Sequence, residues 1–172
     1  MDDPSAPRYL RTMQENKMNP DFMLEAIRLA ERGMVKNAGG PFGAVIVREG
    51  KIIGRGCNGV TSGNDPTAHA EVMAIRQACQ RRRTFELSGC EIYTSCEPCP
   101  MCLAAIYWAR IGRIYFANTR RDAAKIGFDD AVFYREIARP PSKRQVPMRQ
   151  ILRAKAQPAF QNWHAKQDKI KY

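Results

Sequence analysis

Pro98-Cys99-Pro100-Met101-Cys102, taken together with Thr67-Ala68-His69-Ala70-Glu71, is the stretch from which this 172-residue chain is best understood. It offers two thiols three residues apart, and the earlier stretch offers one imidazole with a carboxylate two residues on. One imidazole and two thiolates make a three-ligand zinc set that leaves the fourth tetrahedral position to water. Glu71 is then the acid/base beside that water. Both stretches read as helix entries, where backbone N–H groups favour anions. Cys99 reads as the cap of its helix and Cys102 lies one turn on, so both thiol pKa values are expected to fall. His69 and Glu71 are two residues apart, which does not put them on one helical face. They flank one cavity if His69 lies in the first turn.

Each signal has a plainer competitor. A lone C-x-x-C suits a redox pair. Cys96, Cys99 and Cys102 also echo an iron–sulfur run, but the position where a fourth cysteine belongs holds Ile106. A structural zinc wants four protein ligands, and Cys96 is the available fourth; that reading leaves Glu71 idle. His69 taken alone reads as a core histidine, and His164, among polar residues, as a surface one. Cys57, Cys79 and Cys90 sit in apolar or strand-like settings and read as inert core thiols.

The length predicts a single domain with a sizeable core. A net charge of +11 and a pI near 9.7 permit nucleic-acid binding without requiring it. The basic residues are scattered (Arg81 to Arg83, Arg120-Arg121, Lys166, Lys169 and Lys171) and read as solvated faces. No apolar run reaches membrane length. The acidic start, Met1-Asp2-Asp3-Pro4, lacks the apolar segment of a secretion signal. Six cysteines without such a signal fit reduced thiols, and the expected location is the cytoplasm.

Residues 1–18 are polar and aperiodic and read as a flexible amino-terminal arm; residues 19–172 read as one domain. Asn19-Pro20 is a cap followed by a first-turn proline, and Met23, Ile27, Ala30 and Met34 carry the helical period to about residue 37. Gly39-Gly40 is the expected stop. Phe42 to Val47, a Glu49-Gly50 turn and Lys51 to Cys57 predict a hairpin. A polar loop, residues 61–66, leads to a helix opening near His69 and ending at Arg81 to Arg83. A strand over 91–95, a helix over 99–109 with Pro100 at its first position, and a strand over 113–117 follow. Two helical patches, 121–126 and 130–138, are split by Gly127. Residues 145–152 read as a last strand, demoted toward an edge by Pro147, and residues 158–171 as a terminal helix. Strands alternating with buried helices imply an α/β fold whose sheet is covered on both faces.

The paired H-x-E and P-C-x-x-C patterns are the established signature of zinc nucleobase deaminases. Asp65-Pro66-Thr67-Ala68-His69-Ala70-Glu71, Ser95-Cys96-Glu97-Pro98-Cys99-Pro100-Met101-Cys102 and Gly127-Phe128-Asp129-Asp130 together resemble the bacterial guanine deaminases of the cytidine deaminase-like superfamily. The resemblance runs from about residue 20 to the end. The first two motifs are shared with tRNA adenosine deaminases and cytosine deaminases. The third, with Cys96 and the terminal Tyr172, points to the guanine branch. The resemblance implies a three-layered α/β/α sandwich with a five-stranded mixed sheet. It also implies a homodimer whose carboxy-terminal segments, residues 157–172, are exchanged. It gives His69, Cys99 and Cys102 to one zinc per chain and proton transfer to Glu71. Asn58 and Asp130 would hold the base, Phe42 and Trp108 would wall the pocket, Ala70 would offer its backbone N–H, and Tyr172 would close the neighbour's site.

The implied reaction is hydrolytic deamination of guanine at C2 to xanthine, with Glu71 carrying protons from water to a ring nitrogen and the leaving ammonia. The competing substrates are tRNA adenosine, which the charge would suit, and guanosine, another purine or an aminotriazine. The competitor from another class is a non-enzymatic zinc module. A polynucleotide needs an open groove and a flipped base, whereas a free base can be enclosed. Without the resemblance, Asn58 reads as a turn residue, Asp129 or Asp130 as a helix cap, Phe42, Ala70 and Trp108 as core, and Tyr172 as a frayed end.

Overall fold

Asn19 opens the first helix as its sequence demands: its side chain accepts from the Asp21 N–H at 2.9 Å, and Pro20 fills the first turn of α1, Pro20–Val35. The computed structural model describes residues 18–171. The expectations for residues 1–17 and for Tyr172 therefore fall outside the described residues. The stop of α1 comes from Asn37, which takes the left-handed conformation (φ 53°), ahead of the Gly39-Gly40 pair.

The chain divides into two compact units, Met1–Asp130 and Ala131–Tyr172. In the first, β1 (Gly43–Arg48) and β2 (Lys51–Cys57) form the expected hairpin. Its turn, Glu49-Gly50, has two positive φ angles (50° and 70°), which matches the twist of the strands it joins. A helical turn, α2 (Val60–Gly63), interrupts what reads in sequence as plain loop. Then come α3 (Ala70–Arg82), β3 (Glu91–Cys96), α4 (Pro100–Trp108), β4 (Arg113–Asn118) and α5 (Arg120–Lys125). A capping box between Thr119 and Asp122 starts α5.

The described sheet has four strands in the order β2-β1-β3-β4, antiparallel except for the parallel β3–β4 pair, so it is mixed. Alternation along β1 divides its side chains. Ala44 and Ile46 pack with Ala70, Ala74 and Ala78 of α3 and with Ile106 of α4, while Val45 and Val47 pack with Phe22, Met23 and Leu29 of α1. Two strand glycines bring α3 unusually close. A Cβ on Gly54 would lie 2.4 Å from the Ala74 carbonyl oxygen, and one on Gly56 2.1 Å from that of Ala70. This seats the amino terminus of α3 against the end of β2.

The second unit holds α6 (Ala131–Ala138), a short 3-10 turn (Pro141–Lys143) and α7 (Arg153–Ala165). The expected fifth strand is absent: residues 145–152 carry no strand and lie exposed. Pro147 has no N–H to give a ladder, and α7 starts directly afterwards at Arg153, five residues before Pro158, which lies inside the helix. No residue of 131–171 is buried.

Candidate active site

His69 is the cap of α3 and not a member of its first turn; its backbone is extended (φ −70°, ψ 153°), with Ala70 and Glu71 the first two helical residues. This resolves the two-residue spacing. The imidazole leaves the chain before the helix sets its own angular rule, and the Glu71 carboxylate enters the same cavity from the first turn. Cys99 is likewise the cap of α4 (φ −65°, ψ 167°). Pro100 follows at the first helical position, where its ring presets φ and its missing N–H costs nothing. Cys102, one turn on, is buried.

The two helix entries converge. His69 Nδ1 stands 3.6 Å from the Cys99 sulfur and 3.5 Å from the Cys102 sulfur. A tetrahedral zinc with Zn–S of about 2.3 Å and Zn–N of about 2.0 Å has N···S edges of about 3.5 Å. Ligand chemistry and spacing therefore both fit one zinc, and among the described residues His69, Cys99 and Cys102 are the group able to hold a metal. Cys96 does not join them. Its thiol donates to the Thr119 carbonyl at 3.7 Å. Burial, with the Glu71 charge behind it, pushes its pKa up to about 11.

The expectation for the two thiols holds for one only. Cys99 is pulled down to about 4, first by the Cys102 thiol that donates to it, with burial opposing and His69 adding to the pull. Cys102 is pushed up by the same contact, by burial and by Glu71. Two sulfurs this close share a proton, and the helix terminus does not outweigh that. The bond to Cys99 raises His69 against its burial. Glu71 is only 6% exposed, and desolvation raises its carboxyl above the usual range.

Asn58, at the end of β2, is 4% exposed. Its carbonyl oxygen accepts from the Gly40 N–H (3.3 Å) and the Val60 N–H (3.2 Å). The next residue, Gly59, donates to the Ala68 carbonyl at 2.9 Å, so Asn58 adjoins the His69 turn. Ala70 is fully buried at the start of α3. Phe42 is half-buried against the core, and its ring meets Phe128 edge-on, 4.9 Å between centroids. Phe128 belongs to the Gly127-Phe128-Asp129-Asp130 motif, yet nothing in its local sequence singles it out; Gly127, in a left-handed conformation (φ 93°), turns the chain there. Asp130 is partly buried, and its carboxyl is raised by desolvation and by the neighbouring Cys99, against Arg120. Trp108, the last residue of α4, is 66% exposed and so is not core. His164 is exposed, as expected. Cys90 is fully buried; Cys57 and Cys79 are half-buried.

Residues 16–118 match the family described as "Cytidine and deoxycytidylate deaminase zinc-binding region". The guanine deaminase of Bacillus subtilis (strain 168) is 49% identical over 151 residues, 88% of this chain and 97% of its own length. The X-ray structure of guanine deaminase from Bacillus subtilis superposes with a TM-score of 0.86 at 48% identity, covering 91% of this chain and 99% of that one. A tRNA-specific adenosine deaminase of Aquifex aeolicus is 46% identical, but over 96 residues, 56% of this chain and 63% of its own. With the His69, Cys99 and Cys102 set in place and the zinc-binding region matched along most of the first unit, the chain belongs to the cytidine and deoxycytidylate deaminase zinc-binding family.

Proposed function

We propose that this chain is a zinc-dependent aminohydrolase that converts guanine and water into xanthine and ammonia. The carrying observation is the extent of the likeness to the guanine deaminase of Bacillus subtilis. Its 151 matched residues exceed the 130 of the first unit, so the likeness runs into residues 131–172. The tRNA-specific relative from Aquifex aeolicus matches only 96.

His69, Cys99 and Cys102 would hold a zinc ion, whose chemistry there would be to lower the pKa of a bound water from about 16 to about 7. Glu71, buried and with a raised pKa, takes a proton from the attacking water. It delivers that proton to the ring nitrogen beside C2 as the C2–O bond forms, then passes the remaining hydroxyl proton to the amine, so that the C2–N bond breaks, C2=O forms and ammonia leaves. Asn58 has its carbonyl engaged by backbone and presents amide N–H donors to acceptors on the purine. Asp130 accepts from the N–H groups at N1 and N2 of guanine, which adenine lacks at N1. Ala70 offers its backbone N–H at the start of α3, Phe42 and Trp108 form walls, and Tyr172 closes a neighbour's site.

Helices packed against both faces of β1 support a three-layered α/β/α arrangement. A 42-residue unit with no buried residue among those described supports a homodimer in which residues 157–172 are exchanged and find their cover on a second copy. Residues 19–172 then act as one deaminase domain. No helix among the described residues is long and apolar enough to cross a membrane. We place the enzyme in the cytoplasm, in guanine catabolism. Ammonia release from guanine, guanosine, adenine, cytosine and tRNA tests the reading. Guanine is expected to be turned over fastest; preferential release from tRNA would replace this function with RNA editing.

A further inference from the structure

We infer that Gly39 is a positioning residue for the substrate: the space it leaves lets Asn58 turn its amide N–H groups toward the base. The inference rests on the base-binding role given to Asn58 above. Two backbone N–H groups, from Gly40 and Val60, converge on the Asn58 carbonyl oxygen. They fix which end of the carboxamide is oxygen and which is nitrogen. The nitrogen makes no hydrogen bond among the described residues and is not sealed from solvent. It is therefore the donor end that remains for a ligand, and it suits a ring nitrogen or oxo group on a purine edge.

Gly39 has no positive φ, so its backbone does not call for glycine. The space does. A Cβ there would stand 2.0 Å from the Asn58 carbonyl oxygen, 2.9 Å from its side-chain carbon and 3.0 Å from its main-chain oxygen. The first distance is far inside contact. A methyl group must displace the carboxamide from both N–H donors. A rotated carboxamide presents oxygen where nitrogen belonged, and two acceptors then face each other. Gly40 serves the neighbouring wall in the same way, since a Cβ on it would lie 2.9 Å from both Phe42 and Phe128.

Gly39→Ala, Asn58→Ala and the double variant, each as the zinc-loaded full chain, test this. Gly39→Ala and Asn58→Ala are each expected to raise KM for guanine about tenfold or more, with kcat changed less, as the loss of a ground-state hydrogen bond predicts. Zinc content stays at one per chain. Adding Gly39→Ala to Asn58→Ala is expected to cost little further, because the carboxamide oxygen at 2.0 Å is gone and only the main-chain oxygen at 3.0 Å has to give by a few tenths of an ångström. That non-additivity is a signature a general packing defect lacks. If Gly39→Ala alone folds poorly, recovery of melting temperature and zinc content in the double variant supports the inference equally, and no recovery overturns it. Unchanged KM in Gly39→Ala, or a double variant clearly worse than Asn58→Ala, also overturns it. Wild-type kinetics in Asn58→Ala instead overturns the base-binding role of Asn58, and the inference with it.

Discussion

His69 Nδ1 lies 3.5 Å from the Cys102 sulfur although 33 residues separate them, because each belongs to the entry of a helix packed on the same sheet face. Cys102 is buried, and Cys96 is engaged by the Thr119 carbonyl. Cys102→Ala is therefore expected to lose stoichiometric zinc and much of its thermal stability, whereas Cys96→Ala keeps its metal. Elemental analysis of the two variants decides; the reverse result would give Cys96 the ligand role.

Glu71 sits in the first turn of α3, nearly sealed from water, with a sulfur ligand beside it. Gln fills the same volume but shuttles no proton. Glu71→Gln is expected to fold, bind zinc and lose ~10²–10⁴-fold in kcat. A loss smaller than about tenfold, below that range, removes Glu71 from the proton path.

Asp130 stands close enough to Cys99 for the thiolate to act on its carboxyl. A carboxylate only accepts, so in the base-binding role proposed for it Asp130 would pair with guanine and oppose the N1 acceptor of adenine. Removing it leaves guanine N–H groups unpaired at ~1–3 kcal/mol, or about 5- to 150-fold in kcat/KM. Asp130→Ala is expected to show that loss with zinc content intact. Unchanged guanine kinetics would take Asp130 out of the site.

Tyr93 lies on the α1 side of the sheet, stacked on Tyr115 (4.6 Å) and edge-on to Phe22 (5.4 Å). Its hydroxyl accepts from the Asn19 N–H and donates to Glu91. Burial pushes its pKa from an ordinary 10 up to about 12. The folded state thus resists ionisation that the unfolded chain allows. This contribution is fully present below pH 10 and is lost as pH rises toward 12. Melting temperatures between about pH 9 and about pH 11.5 are expected to fall more steeply for the wild type than for Tyr93→Phe, which has nothing to ionise there. Parallel slopes would contradict the shift.

The hairpin was legible because Glu49-Gly50 carries its own turn geometry, and α1 because Asn19-Pro20 is a cap in sequence and in space. The ligand set was legible because residue types and local spacing constrain it. Three features were not. Whether residues 145–152 become a strand depends on a partner edge, which β propensity does not report. The pKa of Cys102 is raised by a second sulfur, by burial and by Glu71, none of which spacing alone reports. The close approach at Gly39 looks in sequence like a helix stop, because its cause, Asn58, lies 19 residues away.

Residues 131–171 expose Phe133, Ile137, Ile151, Leu152 and Ile170 by more than half each, Phe160 by 75%, and bury nothing. Such a surface has little to hold it without cover. If a second copy supplies that cover, Tyr172 reaches the partner's site, where an aromatic ring over the base excludes water and strengthens the zinc and carboxylate electrostatics. It also denies entry to a polynucleotide, which reconciles a +11 chain with a small substrate. Deleting Lys171 and Tyr172 is expected to leave a zinc-loaded dimer with guanine turnover clearly reduced. Mixing that truncation with Glu71→Gln subunits is expected to restore part of the activity, since one site per mixed dimer then has an intact Glu71 and a partner's terminal ring. Full activity in the truncated homodimer would remove the lid. A reduced homodimer that mixing fails to rescue would keep the lid and remove the exchange between subunits.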